Sequence, residues 1–260
     1  VIGTPLDRLM VPGSPSAAPS VTAAPPRASP CPEDTFLEGA GDPGQHGAPL
    51  RAAGFRPDGQ TLFVADADGG LRLYRTTRPG AACLAMGGGY DLSLSADGRF
   101  LGYLIGERVF LLRLADQAIL KVPLAGTHAT RMRFSSDGTH FVVSTTEGRV
   151  LVLRSADLRL VLDLRAHQDS VRGARFSPDG QRLLTSGEDG RGFLLSLAGA
   201  ELWRCQHSGV VTAGAFSPSG ALAACAGTDG EVSVFLGDGG SLRLRHPAVP
   251  LRLLFLREDL

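Results

Sequence analysis

Phe176-Ser-Pro-Asp-Gly180 is one of five near-copies of a single phrase, the others being Phe55-Arg-Pro-Asp-Gly59, Leu94-Ser-Ala-Asp-Gly98, Phe134-Ser-Ser-Asp-Gly138 and Phe216-Ser-Pro-Ser-Gly220. Their lead residues step by 39, 40, 42 and 40. A period near 40 marks a chain of supersecondary units, none of which can bury its apolar faces alone. The phase extends outward from the phrase. An acid stands thirteen residues after each lead position, at Asp68, Glu107, Glu147, Asp189 and Asp229. A histidine stands nine before it at His46, His167 and His207, and again at His246 before Phe255, where a sixth unit begins. His128 stands only six before Phe134, so that loop is three residues shorter, and the second unit has no histidine there.

Between these landmarks run short apolar segments such as Leu62–Ala65, Val109–Leu112, Val150–Leu153 and Val232–Phe235. Their length and their β-branched and aromatic content fit strands rather than helices. Their weak alternation implies that both strand faces are covered. The Asp-Gly pairs provide the positive φ of tight hairpins. Each unit therefore reads as strand, Asp-Gly turn, strand, acid-Gly turn, strand, with a fourth strand following, for example Leu158–Leu164 or Glu201–Cys205. Four-stranded units of this length are the blades of a β-propeller. The fold class is all-β, with five clear blades and a partial sixth.

The run from His167 through Phe176-Ser-Pro-Asp-Gly180 to Thr185-Ser-Gly-Glu-Asp-Gly190 resembles the WD-repeat family, and the resemblance extends over about residues 46–257. The chain departs from the family's pattern: the Trp-Asp pair that ends the third strand is missing throughout. The Trp position falls on Tyr74, Leu153, Leu195 and Phe235, and the only tryptophan, Trp203, lies off-phase. The resemblance implies a buried hydrogen-bond network in each blade. It would join His167, Thr185 and Asp189 in the fourth blade, and His207 and Asp229 in the fifth with Cys225 at the hydroxyl position. In the first it would join His46 and Asp68, with Val64 in place of the hydroxyl. The resemblance also implies a non-enzymatic scaffold or sensor that binds a protein partner. Contacts would come from the residue before the turn acid and those after the phase histidine. These are Arg51, Ser170, Arg172, Thr212, Glu188 and Thr228, with Ala67 also in phase, and Thr130 and Arg131 in the shortened third loop.

Composition narrows the alternatives. Formal net charge is zero, so no overall field favours nucleic acid or an anionic membrane. Lys121 is the sole lysine among 26 basic residues and asparagine is absent, a bias of genome composition more than of a phosphate-binding surface. No apolar run reaches the roughly 18 residues of a membrane span. Cys31, Cys83, Cys205 and Cys225 show no metal-ligand spacing; three of them fall in expected strands and are read as small hydrophobic residues, and unpaired cysteines favour the cytoplasm. An exported or tethered chain is the alternative. Residues 1–45 form a Pro/Ala/Ser-rich linker, expected to be largely disordered, and 46–260 the propeller. The sixth unit has only its first strand, Leu251–Phe255, although Thr35–Glu38 could add another. A partner-covered edge, an unusual closure or a fragment of a longer protein would each account for this.

No catalytic, cofactor or metal site emerges. Gly39-Ala-Gly-Asp-Pro-Gly44 spells GxGxxG but lacks the strand before it and the helix after it, and Pro43 interrupts it. Asp66-Ala-Asp68-Gly69 is a hairpin, not a calcium loop. His140 stands alone. The competing function is a propeller-type hydrolase or lactonase with a metal in a central channel. The inner-strand segments Leu50–Phe55, Asp91–Leu94, Arg131–Phe134, Val171–Phe176, Val211–Phe216 and Leu251–Phe255 contain one acid, Asp91, and no asparagine, too few oxygen ligands for a hard cation.

Overall fold

The computed structural model describes residues 29–30, 50–55, 59–66, 70–75, 81–85, 89–116, 118–124 and 126–245. Among these residues every regular element is a strand, and none is a helix long and apolar enough to cross a membrane. They fall into two compact units, one within Pro19–Pro123 and one within Leu124–Leu260.

The first unit holds two blades. The first blade runs Leu50–Phe55, Thr61–Asp66, Gly70–Arg75, Ala81–Ala85, and the second Gly89–Leu94, Phe100–Ile105, Arg108–Arg113, Ala118–Lys121. A fifth strand borders the first blade: Ser29 and Pro30 pair antiparallel with Cys83 and Ala82. These two residues come from the stretch read as linker. The rest of residues 1–45, Thr35–Glu38 among them, lies outside the described residues, as does the sixth unit. Phe63 of the first blade packs with Leu101, Tyr103 and Leu112 of the second.

The second unit holds three blades, each an antiparallel meander of four strands in chain order. The third blade is Ala129–Phe134, His140–Thr145, Arg149–Arg154, Leu160–Arg165. The fourth is Val171–Phe176, Arg182–Gly187, Arg191–Ser196, Glu201–Gln206, and the fifth Val211–Phe216, Ala223–Gly227, Glu231–Phe235, Ser241–Arg245. The middle strands of the third and fourth blades are buried along nearly their whole length, as the weak alternation implied. Successive side chains point to opposite faces of a strand. Thus Leu183, Phe193 and Leu195 meet Val142, Val150, Val152 and Leu162 of the third blade. Their neighbours Leu184 and Leu194 meet Phe216, Ala223 and Phe235 of the fifth. Off-phase Trp203 sits on the fourth blade's outer strand and packs on Phe235, ring centroids 5.8 Å apart.

The repeated phrase is a self-contained turn. In Ser95, Ser135, Ser177 and Ser217 the buried hydroxyl accepts the backbone N–H five residues on, at 2.9–3.0 Å. Where Asp follows, the same hydroxyl donates to it: Ser95 to Asp97, Ser135 to Asp137, Ser177 to Asp179. The Asp then accepts the N–H two residues on, from Arg99, Thr139 and Gln181. Ser219 takes that acceptor role in the fifth blade, bonding Ala221 N at 3.1 Å. The closing glycine holds φ of 67°, 71°, 70° and 77° at Gly98, Gly138, Gly180 and Gly220, which a Cβ would oppose.

Removing Ser177 Oγ strands a buried N–H and one bond to Asp179. Ser177→Ala should lower stability by about 1–3 kcal/mol, read as the urea midpoint. An unchanged midpoint would show that the turn does not depend on the hydroxyl.

Candidate functional site

The loops that enter each inner strand and the turns between second and third strands lie at the same end of a blade. In the fourth blade His167, Thr185 and Asp189 meet there. His167 Nδ1 is 2.9 Å from Asp189 Oδ1, and Nε2 is 2.9 Å from Thr185 Oγ1. Asp189 also accepts the N–H groups of Gln168 and Arg191, pinning entry loop to turn. Phe193 sets its ring edge-on to the imidazole at 5.0 Å. Burial raises the Asp189 carboxyl, but the bonds from His167 and the backbone outweigh it and hold the group below the usual range. Glycine is required beside this pair: a Cβ on Gly187 would lie 2.2 Å from His167 Nδ1 and 2.6 Å from Asp189 Oδ1.

The fifth blade repeats the geometry with other atoms. His207 Nδ1 lies 3.0 Å from Asp229 Oδ1 and Gly227 leaves the same space. Cys225 occupies the hydroxyl position, its Sγ 3.7 Å from His207 Nε2, but the hydroxyl comes from Ser233 on the next strand, at 3.2 Å. Ser233 faces Cys225 in the strand register, so one serves where the other departs. Sequence phase alone missed Ser233; the pairing of the second and third strands would have found it. The third blade differs: Thr145 stands where Gly187 and Gly227 stand, a position at which a Cβ would meet a ring placed like those of His167 and His207. His128 is displaced outward and pairs with the longer Glu147 at 2.6 Å, both half exposed. His46 and Asp68 lie outside the described residues.

One expectation is corrected. Cys205 and Cys225 are not separate core residues: they form a disulfide between the fourth blade's outer strand and the fifth blade's second strand. Unpaired cysteines were the ground for expecting a reducing compartment, and these two are paired.

Within each blade the described rim residues lie at this same end. Each inner strand carries a register shift one residue in, between Leu50 and Ala52, Gly89 and Asp91, Ala129 and Arg131, Val171 and Gly173, and Val211 and Ala213. The extra residues are Arg51, Tyr90, Thr130, Arg172 and Thr212. A bulge re-aims its side chain and recurs beside functional sites. Among the expected contact residues, Arg51, Arg172 and Thr212 are bulge residues, whereas Tyr90 was not foreseen. Arg172 Nε lies 2.9 Å from Glu188 Oε1, so these two expected contacts form one exposed ion pair. Ser170 C=O accepts Glu188 N–H at 2.9 Å, and Thr228 N–H donates to Val210 C=O at 2.9 Å. Thr130 Oγ1 donates to Val171 C=O across the blade boundary, and Thr212 Oγ1 to Ala226 C=O at 3.4 Å. Arg131 and Thr228 are exposed.

A family model described as WD domain, G-beta repeat matches residues 158–193 and 200–235. A search of curated proteins finds no match to the chain. Each matched stretch begins at the outer strand of one blade and ends in the third strand of the next. The sequence repeat is therefore staggered against the sheets and ties each pair of blades covalently.

Two measurements follow. Gly187→Ala and His167→Ala should each cost about 1–3 kcal/mol, whereas His128→Ala, in a half-exposed pair, should cost less than about 1 kcal/mol; equal effects would refute the distinction. The second concerns acid. Asp137, held down first by Ser135 Oγ, Glu147 and Asp229 all titrate at about 2 in the fold, against ordinary values of 3.8 for Asp and 4.5 for Glu. For Glu147 and Asp229 burial acts upward and hydrogen bonds, His128 and His207 among the donors, outweigh it. The unfolded chain then binds more protons between these limits, so their stabilisation is complete above about pH 4.5 and fades as pH falls towards 2. Urea midpoints should be level near neutrality and drop below pH 4.5; a level midpoint down to about pH 2 would contradict this.

Proposed function

We propose that this WD-repeat chain is a non-enzymatic module that captures a protein partner through the bulged rim of its blades. WD repeats on four-stranded blades support a protein-interaction role in general. The observation that carries the finer reading is the recurrence of the bulge. Three consecutive inner strands of the second unit break register at the same step, at Thr130, Arg172 and Thr212. Each bulge lies beside a turn whose leading residue, Thr146, Glu188 or Thr228, is exposed. A bulge disrupts local pairing, and its retention in blade after blade fits a use for the side chains it re-aims. The bulge side chains Thr130, Arg172 and Thr212 and the turn side chains Thr146, Glu188 and Thr228 are polar and together carry both charges, which suits specific recognition more than bulk adhesion.

The hydrolase reading draws no comparable support. The inner strands of this unit, Ala129–Phe134, Val171–Phe176 and Val211–Phe216, contain no acid with which to hold a hard cation.

Arg131→Glu with Arg172→Glu puts a carboxylate beside Glu188 and reverses two rim charges. It should weaken partner capture about tenfold, the effect of losing roughly 1.4 kcal/mol at an interface. Arg159→Glu makes the same kind of change at the opposite end of the third blade and should leave capture intact. Circular dichroism must show all variants folded. Equal capture by wild type and the rim variant would sink the proposal.

A further inference from the structure

The histidine site of the fifth blade differs from that of the fourth by two sulfurs. Cys225 replaces the hydroxyl residue, and Cys205 arrives from the neighbouring blade. Cys205, His207 and Cys225 are 3 %, 4 % and 0 % exposed. Their two sulfurs and one ring nitrogen all lie within 4.8 Å of one another. Neither thiol improves the hydrogen bonding there, because sulfur is a weak donor and acceptor and Ser233 already supplies the hydroxyl. Both suit a thiophilic metal.

The histidine is oriented for the same purpose. Its Nδ1–H donates to Asp229 Oδ1 at 3.0 Å, while the other oxygen of Asp229 accepts the Ser208 N–H at 2.9 Å. This fixes the tautomer and leaves Nε2 unprotonated, 3.7 Å from Cys225 Sγ and 3.2 Å from the Ser233 hydroxyl that a metal would displace from it, the carboxylate–imidazole arrangement that supports metal-bound histidines. We infer that, once the Cys205–Cys225 bond is reduced, Cys205, Cys225 and His207 bind a zinc-type divalent ion.

Zinc takes thiolates at about 2.3 Å and imidazole at about 2.0–2.1 Å in a tetrahedron, which separates sulfur from nitrogen by roughly 3.5 Å. Cys225 Sγ already stands 3.7 Å from His207 Nε2. The Cα atoms of the two cysteines are 7.1 Å apart, room for the sulfurs to part without moving the strands. Ser233 Oγ, 3.2 Å from Nε2, borders the fourth position. Two thiolates cancel the ion's charge, so the buried site bears no net charge to desolvate. The other nearby triad, His207 with Asp229 and Glu231, is less suited, because Glu231 is committed to Arg245 at 2.9 Å and Arg243 at 3.3 Å.

The chemistry balances with a thiol reductant. Two thiols give two electrons and two protons to the S–S bond and leave as their own disulfide. The metal then displaces both cysteine protons to solvent. Oxidation and metal uptake exclude each other at this site.

The test uses the full chain with Cys31→Ser and Cys83→Ser, reduced with a dithiol, desalted without oxygen and titrated with Co2+. One ion per chain should bind, with thiolate-to-cobalt charge-transfer absorption and tetrahedral visible bands, and Zn2+ should displace it. The oxidised chain should bind none. Cys205→Ser should abolish the charge-transfer band with circular dichroism unchanged, since Cys205 takes no part in the hydrogen-bond network. His207→Gln should weaken Co2+ at least tenfold. Absence of stoichiometric Co2+ uptake by the reduced chain, a spectrum without thiolate character, or equal uptake by Cys205→Ser would overturn the inference, and the reduced chain's own spectrum decides it even if a variant unfolds.

Discussion

Each blade is too thin to shelter its own apolar side chains, and this constraint governs the rest. A four-stranded sheet sends alternate residues to opposite faces. In the fourth blade Leu183 faces backward to the third blade and Leu184 forward to the fifth. Neither face finds cover within its own sheet. Removing water from both requires a neighbour on each side, which is why the unit is copied along the chain and why the middle strands read as continuous apolar runs rather than alternating ones.

Polar groups do a different task. Burial by stacking is nondirectional and does not by itself fix where loops go. The turn phrase does that at one end of each blade, through a buried serine hydroxyl bridging an aspartate and a backbone N–H. At the other end a histidine and a carboxylate tie the entry loop to the turn. The rim that carries the proposed contacts is therefore held by charge-assisted bonds, which are shorter and stronger than neutral ones. Where Thr145 replaces the glycine beside that pair, the histidine moves to the surface and the loop is held by a longer acid instead.

The fifth blade shows how one position can be reassigned without losing the arrangement. A thiol takes the place of the hydroxyl, a serine across the ladder restores the bond to His207, and the thiol is then available to a second cysteine. The same imidazole that stabilises the fold thereby faces two sulfurs.

The period, the turn phrase and the phase acids made the all-β blades legible in the chain itself, because turn chemistry and strand length are local properties. The inner strands Leu50–Phe55, Val171–Phe176 and Val211–Phe216 agree with their sequence reading residue for residue. The pairing of His167 with Asp189 followed from a family resemblance at fixed spacing. Other features depend on residues far apart in the chain. The bulges at Thr130 and Tyr90 arise from register between strands. The Arg172–Glu188 pair depends on which side chains a bulge turns towards a turn. Ser233 serves His207 because it lies opposite Cys225, and Cys205 reaches Cys225 because the two blades stack. Sequence thus determined what each unit is, since propensity and turn geometry act over a few residues; only the tertiary structure decided which atoms meet between strands and between blades, since those distances are set by packing.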